Sequence, residues 1–256
     1  MWKGGPRIAV LVTAVMCSHF GGLKAQTAVP FVGCSSDGQA GSVDAPKGSA
    51  VVLAISAREA EQLAYYKSAM TTGALAPRGW HCAATYGSGG DALYIVPEPI
   101  DPRNMFSSER PKISGPAIGV SRRYGDTSGR FEVAEIISRM FPAYRSFAAN
   151  VTAAFDLPPF PARPYPMDTI RYKGKTLAEY RTPPQTEGLG TYSWLGKNDR
   201  AISGAAMLVG PAPDLLLIAA RLPDSLQSLA PIIVARFEHD GGGRPARPPQ
   251  AESLPH

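Results

Sequence analysis

The sequence predicts an α+β fold: mainly antiparallel sheet, in one piece or more, flanked by helices, with room for two similar lobes. Short runs rich in Val, Ile, Leu and Tyr recur along the chain, bounded by Gly- and Pro-containing turns, as in ALYIVPEP and LLLIAARLP. The order strand–helix–strands–helix, linker, strands–helix departs from the strict βαβα alternation of a doubly wound sheet. Apolar residues at 44% against 18% charged are the proportions of a folded chain.

Residues 1–25 read as a secretory signal peptide. Lys3 and Arg7 precede an apolar run from Ile8 to Met16, and the small Ala25 stands before Gln26. The run is far shorter than the ~20 residues that cross a bilayer. No transmembrane segment is expected in the mature chain, and the protein is expected in the periplasm or outside the cell. Acylation at Cys17, as in a lipoprotein, is disfavoured by the bulky Met16 before it.

Residues 26–157 form the first predicted lobe. Residues 26–49 read as an extended lead-in with at most a short strand, and Ala50 to Ile55 as a buried strand. Ser56 and Glu59 make an S-x-x-E capping box for a helix to about Met70, with Ala60, Leu63, Ala64, Lys67 and Met70 on one side. GWHCAATY, GSGGD and ALYIVPEP spell a hairpin. Residues 98–116 read as a surface loop, and Pro116 to Tyr124 as a strand. Then Val133, Ile137, Met140, Tyr144, Phe147, Val151 and Phe155 recur at helical spacing. Pro142 inside that stripe predicts a kink, or two helices sharing one buried face.

Residues 158–167 form a proline-rich connector, because DLPPFPARPYP has no regular structure open to it. Residues 168–239 return to strands, with a hairpin turning at Gly174, glycine-bearing GLGTYSWL as a bulge or twist, and two apolar strands around PAPD. A helix closes the block from about Asp224 to Glu238, with Pro231 near the start of its regular part. Residues 240–256 have the composition of a disordered tail.

Charge and cysteine content narrow the function classes. Without the leader, 23 basic residues face 21 acidic ones. No Lys/Arg stripe lies on one element, so nucleic acid is not an expected partner. Arg122 and Arg123 adjoin, but neighbours on a strand face opposite ways. Of three cysteines, Cys34 and Cys82 survive removal of the leader, and in an oxidising compartment they are expected to pair.

The phrases LAYYKSAM, GALAPRGWHC, YGSGGDALYIVP, SGRFEVAEIISRMFPAY and RTPPQTEGLGT resemble those of a family of uncharacterised exported bacterial proteins. The resemblance spans most of the mature chain and brings no activity with it. EYRTPPQTEGLGT, followed by two apolar strands and a closing helix, is similar in pattern to the sheet-and-helix units of PsbP/Mog1-like proteins, which bears on fold alone.

Chemical motifs are sparse. Ser88 and Asp91 in the GSGGD turn lie near His81, but G-S-G-G is not the G-x-S-x-G elbow, and its glycines serve a hairpin. His239 and Asp240 adjoin rather than stand at ligand spacing, so no metal site is expected, and no phosphate or dinucleotide loop is present. No cofactor and no catalytic residue is assigned. Arg78, Trp80, His81, Tyr86 and Ser88, around the hairpin and the bridge, are the candidate surface residues. Trp80 and Tyr86 share a strand face that could be an aromatic platform, although Trp80 packed over the disulfide is the favoured reading. The expected function is a non-catalytic binding or accessory module of the envelope; the alternative is a hydrolase acting on an envelope or extracellular polymer.

Overall fold

The structure, a computed structural model, describes Met1 and residues 26–103, 112–192 and 194–242. The leader with Cys17, part of the loop before Pro116 and most of the tail lie outside the described residues. In chain order come β1 (Gln26–Val29), β2 (Phe31–Gly33), β3 (Ser36–Gly38), β4 (Val51–Ala54), α1 (Ala57–Gln62), β5 (Leu63–Lys67) and β6 (Ala74–Pro77). The hairpin comes next as β7 (His81–Gly87) and β8 (Gly90–Val96), then β9 (Ala117–Arg123), α2 (Arg130–Met140) and α3 (Arg145–Ala154). Beyond the connector lie β10 (Thr169–Tyr172), β11 (Leu177–Thr182), β12 (Ile202–Val209), β13 (Asp214–Arg221) and α4 (Ala230–Gly241).

Eight strands form one sheet in the order β10-β11-β12-β13-β9-β8-β7-β3, antiparallel except where β3 runs parallel to β7. The strands before and after the connector meet at β9 and β13, paired from Ala117↔Arg221 to Arg123↔Leu215, so the sheet is continuous across it. Two smaller sheets, β2-β5-β6 and β1-β4, complete the α+β architecture. Both faces of the large sheet are covered. Leu208, Leu215 and Leu217 pack against Val133, Ile137 and Met140 of α2 on one side. Leu93, Ile95, Ile118 and Ile218 pack toward Ile233 and Phe237 of α4 and toward β5 and β6 on the other. Covering on both faces is why β12 and β13 read as unbroken apolar runs rather than alternating ones.

Several expectations change. The lead-in contains three short strands, because each finds a distant partner: β1 pairs with β4, β2 with β5 and β3 with β7. The capping box forms, with Ser56 Oγ accepting from Glu59 N at 3.2 Å and Glu59 Oε2 from Ser56 N at 2.8 Å. The helix it opens ends at Gln62 rather than Met70. Leu63 turns extended (φ −115°, ψ 152°), and LAYYK becomes a strand with its first four residues buried between β2 and β6. Burial on both flanks of a sheet outweighs a short 3.6-residue period. Pro77 is tolerated because β6 is an edge strand.

The long amphipathic stripe breaks at Pro142 into α2 and α3, joined by a 3₁₀ turn at Pro142–Tyr144, and its buried face persists through Tyr144 and Val151. Its last member, Phe155, is 46% exposed, edge-on to Phe131 with ring centroids 4.9 Å apart. GLGT forms a 3₁₀ turn at Leu189–Thr191 rather than a bulge. The last helix starts as 3₁₀ turns at Asp224–Leu229 and becomes α-helical at Ala230, with Pro231 in its first turn, continuing through Asp240 into the segment read as tail.

Cys34 and Cys82 are bonded (Cα–Cα 5.4 Å). Cys34 sits where the chain leaves the small sheet at β2 for the large one at β3, so the bond ties both to β7. Arg221, at the end of β13, is wholly buried. Its guanidinium donates to the carbonyls of Gly115 (2.8 Å), Gly196 (2.6 Å) and Ile113 (2.5 Å), clamping two loops to the sheet. Among the described residues no helix is long and apolar enough to cross a membrane.

Candidate functional site

Of the candidate residues around the bridge, Arg78, Trp80 and Tyr86 make contacts within the fold. Arg78 Nη2 donates to Ala60 O at 2.9 Å at the end of α1. Trp80 is half-buried against the same core as Cys82, and its amide donates to Tyr66 Oη at 3.1 Å. Gly79 between them takes φ +84°, a left-handed turn that a side chain would resist. Tyr86 lies at the other end of β7, its ring against Gly38 of β3 and its hydroxyl donating to Gly41 O at 2.7 Å, so no joint platform with Trp80 forms. His81 is exposed at the start of β7, and Ser88 lies in the turn after Gly87, contacting Gln39 and Ser128. A strand of that length separates them by roughly 20 Å, out of reach of a Ser–His contact.

The structure brings together a different set of residues at a three-way junction. A cavity of about 480 Å³ lies where one corner of the large sheet, the C-terminal end of α4 and the β5–β6 hairpin meet. The sheet supplies Asp91 from β8 and Arg122 from β9, followed by Tyr124; α4 supplies Asp240; the hairpin supplies Tyr65, Lys67 and the stretch 69–73. Asp91 and Arg122 stand directly opposite in register. They share the face of Leu93, Ile95, Ile118 and Val120, the one α4 covers.

Each acidic group has a fixed donor. Arg122 donates through Nε (3.0 Å) and Nη2 (2.5 Å) to Asp214 Oδ2, while Gly125 N donates to Asp214 Oδ1 at 2.9 Å. Tyr124 Oη donates to Asp91 Oδ2 at 2.9 Å. Tyr65 Oη and Arg236 Nε both donate to Asp240 Oδ2 at 2.9 Å. Arg123, facing the opposite way, pairs with Glu132 of α2 at 2.6 Å, so the adjacent arginines serve different faces.

Burial dominates the electrostatics. Asp91, 5% exposed, is pushed up to about 6, because desolvation of its carboxylate outweighs the Tyr124 hydrogen bond and the nearby Arg122 and Arg123. Tyr124 is raised to about 12 by burial and then by Asp91, and Tyr65 is raised by burial and then by Asp240. Among the described residues, no group of three or more His, Cys, Asp or Glu side chains could hold a metal ion. Chemically, the cleft offers tyrosine hydroxyls, the cations of Lys67 and Arg122, and the carboxyls of Asp91 and Asp240.

Sequence reasoning names Asp91, Arg122 and Asp240 singly and misses their convergence, yet the sequence carries a trace of it. Asp91, Arg122 and Asp214 each sit at the end of an inward-facing apolar alternation, at the position where another Leu or Ile would continue it. A charge in such a position needs a partner or a use. In comparisons with known proteins the chain matches no family model, no curated protein and no solved structure.

Proposed function

We propose that the chain is an exported binding or accessory module of the bacterial envelope, and that its polar cleft takes a small charged ligand. The observation that carries this reading is the convergence of two cations, Lys67 and Arg122, and two carboxyls, Asp91 and Asp240, from three separate elements around about 480 Å³. That size falls within the ~300–1,000 Å³ of typical small-molecule sites. Arg122 is held in position by Asp214 through Nε and Nη2, which leaves Nη1 to meet an anionic group of the ligand. Asp91 keeps Oδ1 for a hydroxyl or ammonium group, since Tyr124 occupies Oδ2. Export is supported by the leader-like first 25 residues, by the disulfide, which belongs to oxidising compartments, and by the resemblance to exported bacterial proteins.

One observation favours the alternative, a hydrolase. Asp91 is a buried carboxyl raised to about 6 in a cleft that also contains Asp240, the kind of tuning that serves general acid–base catalysis. Asp240 is bound by Arg236 and Tyr65 and is poorly disposed to attack a substrate, which weighs toward binding. Amide NMR of the protein titrated with a dialysable digest of bacterial envelope separates the two. Binding predicts shifts confined to residues 67–73, Asp91 and 122–124, with the digest's composition unchanged. A change in composition that Asp91→Asn abolishes establishes the hydrolase. Absence of shifts at those residues overturns both.

A further inference from the structure

Beside the N-terminal half of α4 runs a second depression, of about 650 Å³, apart from the polar cleft at the helix's far end. Its two walls differ in chemistry. The helix contributes Ala230, Pro231, Val234 and Ala235, with Pro231 and Ala235 exposed. The outer strands contribute a polar row: Thr169 of β10, Arg181 of β11 and Ser203 of β12 stand directly opposite one another, on one face of three neighbouring strands. One step along, Arg171 pairs with Glu179.

The charges here do not balance. Lys173 bonds Glu179 and reaches Glu238 of α4 at 2.7 Å, so Arg171 and Lys173 neutralise the two carboxylates. Arg181 is exposed and meets no acidic partner among the described residues. An unneutralised guanidinium flanked by two hydroxyls therefore sits at one side of a groove whose other side is apolar apart from Gln227. We infer that this groove binds a single-chain anionic amphiphile of the fatty-acid type. Arg181 receives the carboxylate with Thr169 and Ser203 beside it, and the alkyl chain lies along Ala230 to Ala235. The planar guanidinium suits a carboxylate in two-pronged contact, and the helix wall removes the chain from water.

Calorimetric titration of the intact chain with dodecanoate, below its micelle concentration, tests this. One saturable site is expected, with hexanoate and a neutral dodecyl glycoside each at least about tenfold weaker, because head and tail both contribute. Arg181→Glu should weaken dodecanoate by about tenfold or more, the scale of a lost charge-assisted hydrogen bond. Ala235→Glu should do the same from the opposite wall. Both positions are exposed, so neither change disturbs the core. Arg122→Ser, in the other cleft, should leave dodecanoate binding unchanged. Absence of saturable binding, equal affinity for hexanoate, full affinity in Arg181→Glu, or preference for an acidic peptide over dodecanoate overturns the proposal.

Discussion

Asp91 opens the inward face of β8 opposite Arg122, yet Arg122 turns its guanidinium to Asp214. The Asp91 carboxylate is left with a tyrosine hydroxyl and two arginines at longer range, which do not offset its burial. The consequence for stability has a definite sign. With the carboxyl at about 6 in the folded protein against 3.8 as its ordinary value, the folded chain keeps a proton that the unfolded chain has released between those pH values. Stability therefore falls as pH rises from about 4 to about 6, and above that window the loss is complete. A shift of this size corresponds to about 3 kcal/mol. Asp91→Asn keeps an acceptor for Tyr124 but cannot ionise. Urea unfolding should show the variant gaining on the wild type by up to about 3 kcal/mol between pH 4 and pH 7. Parallel pH profiles would refute the assignment.

At the scale of elements, strands such as β12 and β13 were the most legible part, because AISGAAMLVG and LLLIAARLP carry their burial in their composition. The hairpin of β7 and β8 and the break at Pro142 were equally plain. The illegible parts depended on distant partners. LAYYK comes directly after a working capping box and has helical spacing, and only the strands on either side make it β5. The three strands before residue 40 likewise exist through β4, β5 and β7. The cleft was hidden for the same reason: its residues come from β5, β8, β9 and α4, and nothing local joins Tyr65 to Asp240 across 175 positions. The disulfide was readable from cysteine content, and its position defines its role. Cross-linking residues 48 apart contributes up to ~4 kcal/mol on the chain-entropy model. The double change Cys34→Ser with Cys82→Ser should lower unfolding stability by about 2–4 kcal/mol. Because the bond ties the small sheet to β7, hydrogen exchange should accelerate first in β2 and β3. A uniform acceleration across the large sheet would contradict that placement.

For the molecule as a whole, the continuous sheet joins the two sides of the connector through β9 and β13, and α4 closes one face between two recesses of opposite character. The polar cleft at one end of the helix holds the carboxyls of Asp91 and Asp240 beside Lys67 and Arg122, whereas the groove beside the other end sets apolar helix residues against Arg181. Both recesses are assembled by topology, while Arg78, Trp80 and Cys82 of the PRGWHC stretch bond to α1, β5 and the segment between β2 and β3. Native mass spectrometry of the protein isolated from the cells that make it reads occupancy of the polar cleft. A small charged molecule should be retained by the wild type and lost from Arg122→Ser. Protein that emerges without bound ligand, or a variant that retains the ligand equally, would contradict the proposed function.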